Sequence, residues 1–229
     1  MGAWLSEQFG LSASPSSVSG WLRGLGFRYR RMRRAPPPER RDAGMAALFA
    51  EELRLLGRMD SAGEIDLLYY DETGFGLEPN VPYGWQQAGR THRLASQKSR
   101  RHTLCGFMDR RCGFAGFRFE GAANSETTIY CFEQMLEKIQ RKTIVVLDNA
   151  SIHTSRKVMD KAAEWREKGL FLQFIPPYCP HLNLIERLWR DFKMLWLDEP
   201  GYFQCWKELG KAIDRIAAQI GTKYTINFK

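Results

Sequence analysis

The chain contains 229 residues, of which 44% are hydrophobic, and carries a formal net charge of +8 at pH 7. It is long enough to bury a substantial core, and its positive charge favours a polyanionic partner such as nucleic acid. No apolar run reaches the roughly 18 residues needed to span a membrane, and the N-terminus lacks the apolar core of a signal peptide. These features exclude membrane and secreted proteins, and the sequence predicts a cytoplasmic protein.

The positive charge is concentrated near the N-terminus, where residues 1–44 contain eight arginines and three acidic residues. Residues 1–9 are typical of the end of a helix, and a short turn separates them from a second helix. Ser14 is suited to cap this second helix, Pro15 to occupy its first position and Gly24 to end it. Two helices joined by a short turn predict a helix-turn-helix, with a plain helical hairpin as the alternative.

Arginines interleaved with an aromatic residue follow this second helix, a composition suited to phosphate contacts and to entry into a DNA groove. The residues predicted to contact DNA lie on the helix, in the arginine-rich segment and in a basic loop further along the chain. They are Ser16, Ser17, Arg23, Arg28, Arg30, Arg31, Arg33, Arg34, Arg93, Arg100 and Arg101.

Changes of composition divide the chain into four predicted segments. Residues 1–34 form the partial helix-turn-helix, and a proline-rich stretch then begins a linker and connecting helix at 35–60. Residues 61–197 form an α/β domain, and residues 198–229 a helical tail with a helix around 206–220.

The α/β domain alternates between strand-like and helical patterns. Strands are predicted at 65–71, near 84–86 and at 102–108, 113–119, 143–148 and 170–175. Helices are predicted at 124–139, at 155–168 and around Glu186. Antiparallel strands followed by β-α-β units predict a mixed sheet with helices on its faces.

Three acidic residues stand at or near the ends of predicted elements. Asp71 ends the first strand on the same face as Tyr69, whereas Asp66 points to the opposite face and is set aside. Asp148 ends a second strand, and Glu186 flanks the inward apolar stripe of its helix. That stripe consists of Ile185, Leu188, Phe192 and Leu195. If the two strands are neighbours in the sheet, the carboxylates meet at one edge.

Carboxylate oxygens are ligands suited to Mg²⁺ or Mn²⁺ rather than to zinc. Two such ions held by shared carboxylates clamp the attacking and leaving oxygens of a phosphodiester. Each acid taken alone is better interpreted as a surface carboxylate, but three together beside Asn149 and Asn183 favour a shared metal site. A zinc site at His102, Cys105 and Cys112 is disfavoured, because these residues fall in strand-like sequence without closely spaced ligand pairs.

Three sequence blocks carry a resemblance to a known family. They are Tyr-Asp-Glu-Thr-Gly-Phe at 70–75, Val-Leu-Asp-Asn-Ala-Ser-Ile-His at 146–153 and Pro-Pro-Tyr-Cys-Pro-His-Leu-Asn-Leu-Ile-Glu-Arg-Leu-Trp at 176–189. In this order they resemble the DDE superfamily endonuclease domain of bacterial insertion-sequence transposases of the Tc/mariner superfamily. The resemblance implies an α/β, ribonuclease-H-like fold, with a mixed five-stranded sheet flanked by helices. A small α-helical helix-turn-helix segment precedes this fold in the chain.

The resemblance also implies the roles of particular residues. Asp71, Asp148 and Glu186 match the catalytic, metal-binding acids, and Asn149, His153 and Asn183 match supporting positions. Asn149 is expected to orient Asp148 or a water, and His153 to contact a phosphate or to make a helix-capping hydrogen bond. The implied cofactors are two Mg²⁺ or Mn²⁺ ions.

The implied activity is metal-dependent cleavage at transposon ends, followed by strand transfer into target DNA at TA dinucleotides. The implied partners are double-stranded DNA, as terminal inverted repeats and as target, and a second copy of the chain in a homodimer associated with the nucleoid. Two other functions stay open, namely a catalytically idle transposon remnant that only binds DNA and a ribonuclease-H-like nuclease.

The chain departs from the family pattern in two places. Leu184 stands where proline is usual, and residues 179–181 replace a common Ser-Pro-Asp, but neither change removes a proposed ligand. The family's DNA-binding region also begins well before Met1, so we expect an N-terminally shortened copy.

Overall fold

A computed structural model describes residues 7–25, 43–77, 100–197 and 205–226. The chain divides into two compact units, Met1–Pro37 and Pro38–Lys229. The strand predicted near 84–86 lies outside the described residues, as do Arg28, Arg30, Arg31, Arg33, Arg34 and Arg93. Within the described ranges, no helix is both long and apolar enough to cross a membrane.

The first unit contains helix α1, Pro15–Gly24. The Ser14 hydroxyl caps it by accepting a hydrogen bond from the backbone N–H of Ser17 at 3.1 Å, and Pro15 fills the first turn. The predicted cap and helix are therefore confirmed. Val18 is buried, whereas Trp21 is 55% exposed on the same helix.

The second unit contains five helices and five strands in its described residues. In chain order they are α2 Ala43–Ser61, β1 Asp66–Phe75, β2 His102–Met108, β3 Phe114–Glu120, α3 Ser125–Leu136, β4 Thr143–Leu147, α4 Arg156–Glu167, β5 Leu170–Phe174, α5 Ile185–Asp191 and α6 Trp206–Ala217. A 3₁₀ turn, Pro180–Leu182, precedes α5, and a π-helix, Phe192–Trp196, continues it.

The five strands form one mixed sheet in the order β3-β2-β1-β4-β5. β1 pairs antiparallel with β2 and parallel with β4, and β4 pairs parallel with β5. Helices α3 and α4 supply the crossovers that parallel pairing requires. The mixed sheet predicted from the strand pattern is confirmed, with β1 at its centre.

Each face of the sheet is covered by its own hydrophobic core. One core joins Leu67 and Tyr69 of β1 to α2, α5 and α6. The other joins Tyr70 of β1 to residues of α3 and α4 such as Phe132 and Trp165. Because side chains alternate along a strand, Asp71 belongs to the face that packs against α5, and Glu72 to the opposite face.

Helix ends follow local chemistry. Asn124 caps α3 through a capping box with Thr127, and Ser155 caps α4 through the backbone N–H of Val158. Gly169 adopts a left-handed backbone with φ +92, which lets the chain turn from α4 directly into β5. These caps and this turn allow short connections between the helices and the sheet.

Two predicted boundaries and one predicted side-chain orientation are wrong. Strand β1 continues beyond Asp71 to Phe75, because its far half pairs with β2. Helix α3 ends at Leu136, three residues before its predicted end. Leu195 is 62% exposed rather than inward, because the π-helix after α5 widens the turn and rotates the apolar stripe.

Candidate metal-binding active site

The sheet topology brings the chain positions of two of the predicted acids to the same edge. The parallel pairing of β1 with β4 ends at the pair Tyr69–Val146. Two residues further along each chain stand Asp71, still within β1, and Asp148, directly after the end of β4. Asp71 is still held by β2, opposite Gly106. The prediction that the two strands are neighbours is confirmed.

Helix α5 brings the third predicted acid to the same region. Ile185 and Leu188 are fully buried and anchor the helix against the sheet, which leaves Glu186 at the rim. The Trp189 indole N–H donates to Asp71 Oδ2 at 3.1 Å and ties the helix to β1. Asp71 and Glu186 consequently line one pocket of about 450 Å³, which also contains Lys193.

The charges of the three acids act on one another. Burial first, and then the neighbouring Glu186, Glu72 and Asp148, raise the pKa of Asp71 well above its usual value. Burial and Asp148 likewise raise the pKa of Glu186. The site therefore holds more negative charge than it can stabilise by itself, and a cation bound among the acids would relieve this repulsion.

Asp148 is held differently, by a buried histidine. Its Oδ1 accepts from His153 Nδ1 at 2.7 Å and from the Ala150 backbone N–H at 3.0 Å. The hydrogen bond from His153 lowers the pKa of Asp148. The other ring nitrogen of His153, Nε2, lies 3.0 Å from Glu72 Oε2.

His153 is fully buried between these two carboxylates. Burial alone disfavours its charged form, but the hydrogen bonds to Asp148 and Glu72 outweigh burial and raise its pKa to about 10. A ring with no exposed surface and both nitrogens occupied has nothing left for a phosphate. The expected phosphate contact of His153 is therefore corrected to a bridge between two carboxylates.

The two predicted asparagines hold backbone rather than an acid. The Asn149 side-chain N–H₂ donates to the Ile175 carbonyl and locks β4 to the end of β5. The Asn183 side-chain N–H₂ donates to the Tyr70 carbonyl at 2.9 Å and ties the approach to α5 to β1. Asn183 Oδ1 is buried without a hydrogen-bond partner among the described residues.

The oxygen atoms at the candidate site are chemically suited to bind Mg²⁺ or Mn²⁺. Three carboxylates and a buried amide oxygen are hard oxygen donors, and the raised pKa of Asp71 and Glu186 marks a shortage of positive charge. In the described part of the chain, no three His, Cys, Asp or Glu side chains lie close enough to hold one ion as they stand.

Positive residues surround the acids. The Arg101 guanidinium lies directly against Gly74 of β1, and the Lys193 ammonium lies 5.4 Å from the centre of the Phe75 ring. Burial lowers the pKa of Lys193, while Glu186 acts in the opposite direction. A second pocket, of about 340 Å³, shares Glu186 with the first. It is lined by Arg110, His181, Asn183, Leu184, Glu186, Arg187 and Arg190.

The other predicted DNA contacts that the structure describes are distributed along the chain. Ser16, Ser17 and Arg23 are exposed on α1, although both serine hydroxyls lie within hydrogen-bonding distance of Ser14 Oγ. Arg100 stacks over the Trp206 ring, 5.9 Å from its centre, and so packs against α6.

Several residues of the site were missed at the sequence level. Glu72 and Trp189 lie inside the resembling blocks, but only the fold shows which groups they contact. Lys193 stands seven positions after Glu186, which is two helical turns along the same side. That spacing could have predicted that the two side chains share one face of the helix. The zinc alternative is wrong, because Cys105 and Cys112 lie in different cores and His102 stacks on Trp206.

The sheet order and the acids on its central strands define an α/β protein of the ribonuclease-H-like kind. The structure aligns with a crystal structure of the Mos1 mariner paired end complex with Mn (TM-score 0.59, 18% identity, 96% of this chain and 68% of that chain). It also aligns with the crystal structure of the catalytic domain of Mos1 mariner transposase (TM-score 0.52, 15% identity, 82% of this chain and 85% of that chain). These likenesses confirm the predicted fold.

Sequence comparison gives the family. Residues 66–210 match the family model described as DDE superfamily endonuclease, which is more than half of the chain. The chain therefore belongs to the DDE superfamily endonuclease family, as the three sequence blocks predicted. It is also 26% identical over 189 residues to the "Insertion element IS630 uncharacterized 39 kDa protein" of Shigella sonnei. The match covers 81% of this chain and 53% of that relative, so the chain spans about half the relative's length.

Proposed function

We propose that this chain is a DNA transposase that cleaves phosphodiester bonds at transposon ends and transfers the freed strand into target DNA at TA sites. The observation that supports the proposal is that Asp71 and Glu186 line one pocket, while Asp148 follows the end of β4, the strand next to β1. Family membership and the likeness to Mos1 transposase structures support the same activity. Two solved Mos1 structures of this kind are named as paired end complexes with Mn and with Mg.

In the proposed mechanism, the three acids would hold two Mg²⁺ or Mn²⁺ ions, and these would supply activation of the attacking oxygen and stabilisation of the leaving oxygen of a phosphodiester. The chain's own groups prepare that chemistry: Trp189 fixes Asp71, and Asn183 fixes the approach to α5, so that Glu186 faces the other acids. Lys193, in the same pocket, adds positive charge where a phosphate would enter.

The proposed partner is double-stranded DNA, bound as a terminal inverted repeat and as target by a homodimer of the chain. Arginines suit this partner because their guanidinium groups bind phosphate in two-pronged hydrogen bonds. Arg110, Arg187 and Arg190 line the second pocket beside Glu186, so they would hold the backbone next to the cleaved bond. Exposed Arg23 and the arginine-rich segment after α1 would hold a more distant part of the duplex.

The proposed organisation keeps the four segments of the sequence. Residues 1–34 are a partial helix-turn-helix, 35–60 a linker and connecting helix, 61–197 the catalytic domain and 198–229 a helical tail. The family match over 66–210 supports the third of these. The proposed location is the cytoplasm, in association with the nucleoid. The second candidate is an idle remnant that only binds DNA.

A plasmid-nicking assay tests the proposed activity. The chain should nick supercoiled plasmid in Mn²⁺, because metal and a phosphodiester suffice for the chemistry. Asp148→Asn should abolish nicking while leaving DNA binding intact, since it removes a proposed ligand and a charge near phosphate. Asp160→Asn is the matched control, because Asp160 is an exposed carboxylate on α4 whose partner is Arg156.

The controls separate the candidate functions. Equal nicking by Asp148→Asn and the unmodified chain would assign the activity to a contaminating nuclease. Folded, Mn²⁺-bound protein that binds DNA without nicking it would favour the remnant. Preference for an RNA–DNA hybrid over duplex DNA would favour a ribonuclease-H-like nuclease.

A further inference from the structure

The pair Glu72–His153 lies outside the proposed ligand set, yet it contacts that set directly. Glu72 follows Asp71 on β1, and alternation sends the two side chains to opposite faces of the strand. Both residues line the pocket that contains Glu186, and Glu72 in addition accepts a hydrogen bond from His153 at 3.0 Å. The same imidazole lies 2.7 Å from Asp148 Oδ1. A chain of two hydrogen bonds thus links β1 to the acid that follows β4.

The geometry restricts Asp148 to one orientation. Its side chain is 48% exposed, and an aspartate with that much solvent contact ordinarily samples more than one rotamer. Here Oδ1 is engaged by both His153 and the Ala150 N–H, so the carboxylate is held from two directions. Its Oδ2 takes no hydrogen bond from the described residues and is the oxygen left for another ligand.

The imidazole is itself held rigidly. It is fully buried, its Nε2 is bound to Glu72, and the Tyr70 ring packs edge-on against it at 5.5 Å. A buried ring fixed on three sides cannot turn away from Asp148 without breaking the bond to Glu72. Glu72 is only 16% exposed, so it too is confined.

We infer that Glu72 and His153 are positioning residues that orient Asp148 for divalent-ion binding, with Glu72 acting through His153. The inference rests on the proposed function, in which Asp148 is a ligand. Holding the carboxylate in its binding orientation removes rotamer freedom in advance, so less entropy is lost when the ion binds. Partners that orient a metal ligand typically change metal affinity by 10–100-fold when they are removed.

Mn²⁺ affinity of the full chain, measured by titration calorimetry after removal of metal with a chelator, tests this inference without requiring catalysis. His153→Gln and Glu72→Ala should each weaken Mn²⁺ binding by about 10-fold. Glu72→Gln should lie between Glu72→Ala and the unmodified chain, since its amide oxygen still accepts from His153. The double variant Glu72→Ala/His153→Gln should be no weaker than His153→Gln alone, because Glu72 acts only through the imidazole.

His102→Gln is the matched control, since His102 is also a buried histidine but stacks on Trp206 away from the acids. It should lower the melting temperature and leave Mn²⁺ affinity unchanged. Unchanged Mn²⁺ affinity in Glu72→Ala and His153→Gln would overturn the inference while leaving the proposed metal site standing. Additive losses in the double variant would overturn the claim that Glu72 acts through His153.

Failure of the proposed function has a separate signature. If the unmodified chain binds no Mn²⁺, the metal site itself is wrong and this inference falls with it. If His153→Gln does not fold, the test uses Glu72→Ala and Glu72→Gln. The inference is overturned if both variants bind Mn²⁺ with the same affinity as the unmodified chain.

Discussion

At the scale of single residues, the acids differ in what the protein does to them. Burial and neighbouring acids raise the pKa of Asp71, whereas the hydrogen bond from His153 lowers the pKa of Asp148. Asp71 is therefore the easier of these two carboxylates to protonate in the metal-free protein. Because a divalent ion and a proton compete for the same carboxylate, ion binding should weaken as pH falls and strengthen as pH rises.

His153 gives a residue-scale prediction about stability. Its pKa is about 10 in the folded protein and about 6.5 in an unfolded chain, so its charged form stabilises the fold. That stabilisation is fully present below about pH 6.5 and is lost as pH rises through about 10. In metal-free buffer, the melting-temperature gap between the unmodified chain and His153→Gln should be largest near pH 6, shrink as pH rises from about 6.5 to about 10, and stay small above about pH 10.

His102 supplies the control with the opposite sign. Burial lowers its pKa, so the unfolded chain binds the proton more readily than the folded protein does. The gap between the unmodified chain and His102→Gln should therefore widen, not shrink, as pH rises through about 6.5. A gap for His153→Gln that stays constant to alkaline pH would contradict the bridge between two carboxylates.

At the scale of elements, the site depends on how closely α5 approaches the sheet. Gly106 on β2 lies opposite Asp71, and a Cβ there would meet the Phe114 ring at 2.5 Å and the Trp189 ring at 2.9 Å. The glycine is required by this close approach. Since Trp189 also donates to Asp71, pushing the indole away would disturb the acid as well as the packing.

Gly106→Ala is predicted to weaken Mn²⁺ binding several-fold and to destabilise the fold by about 1–3 kcal/mol through overpacking. Gly116→Ala is the matched control, because a Cβ there also meets Phe114, at 2.6 Å, but does not reach Trp189 among its nearest contacts. Calorimetry and thermal melting should show comparable destabilisation in both variants and weaker Mn²⁺ binding only in Gly106→Ala. Equal Mn²⁺ affinity in the two variants would show that Mn²⁺ binding does not depend on the close packing of α5 against the sheet.

Much of this element framework is predictable from the sequence. Strands β2, β4 and β5 and the capped helices follow from apolar periodicity and from capping residues such as Asn124 and Ser155, which are local signals. The extension of β1 to Phe75 depends on pairing with a partner that begins 27 positions later, so no local pattern contains it. The π-helix that exposes Leu195 is likewise set by packing after α5.

The candidate site divides in the same way. The acids themselves follow from strand alternation and from three sequence blocks, and the parallel pairing of β1 with β4 brings Asp71 and Asp148 to the same edge of the sheet. The contacts of His153 and Trp189 join residues 81 and 118 positions apart, and only the tertiary fold brings such partners together. For this reason the contact between His153 and Glu72 could not be predicted from the sequence.

At the scale of the whole molecule, positive charge is distributed over both compact units. Arg23 and the arginine-rich segment belong to Met1–Pro37, whereas the arginines beside Glu186 belong to Pro38–Lys229. If both sets bind phosphates, each contributes separately to affinity and to its dependence on salt, because every neutralised phosphate releases counterions.

Deleting residues 1–37 is predicted to weaken binding to duplex DNA and to reduce the salt dependence of that binding. Binding isotherms at two salt concentrations measure both quantities. Mn²⁺ affinity of the shortened protein serves as the control and should be unchanged, because all three acids lie in the second unit. Unchanged DNA affinity and salt dependence would assign binding to the second unit alone.

The central claim is that Asp71, Asp148 and Glu186 bind divalent ions together. Anomalous diffraction from crystals grown with Mn²⁺ tests it most directly, since manganese is located independently of any activity. The account predicts one or two manganese peaks, each within about 2.0–2.6 Å of carboxylate oxygens from at least two of the three acids. Manganese bound elsewhere, with these three carboxylates left without an ion at saturating Mn²⁺, would contradict it.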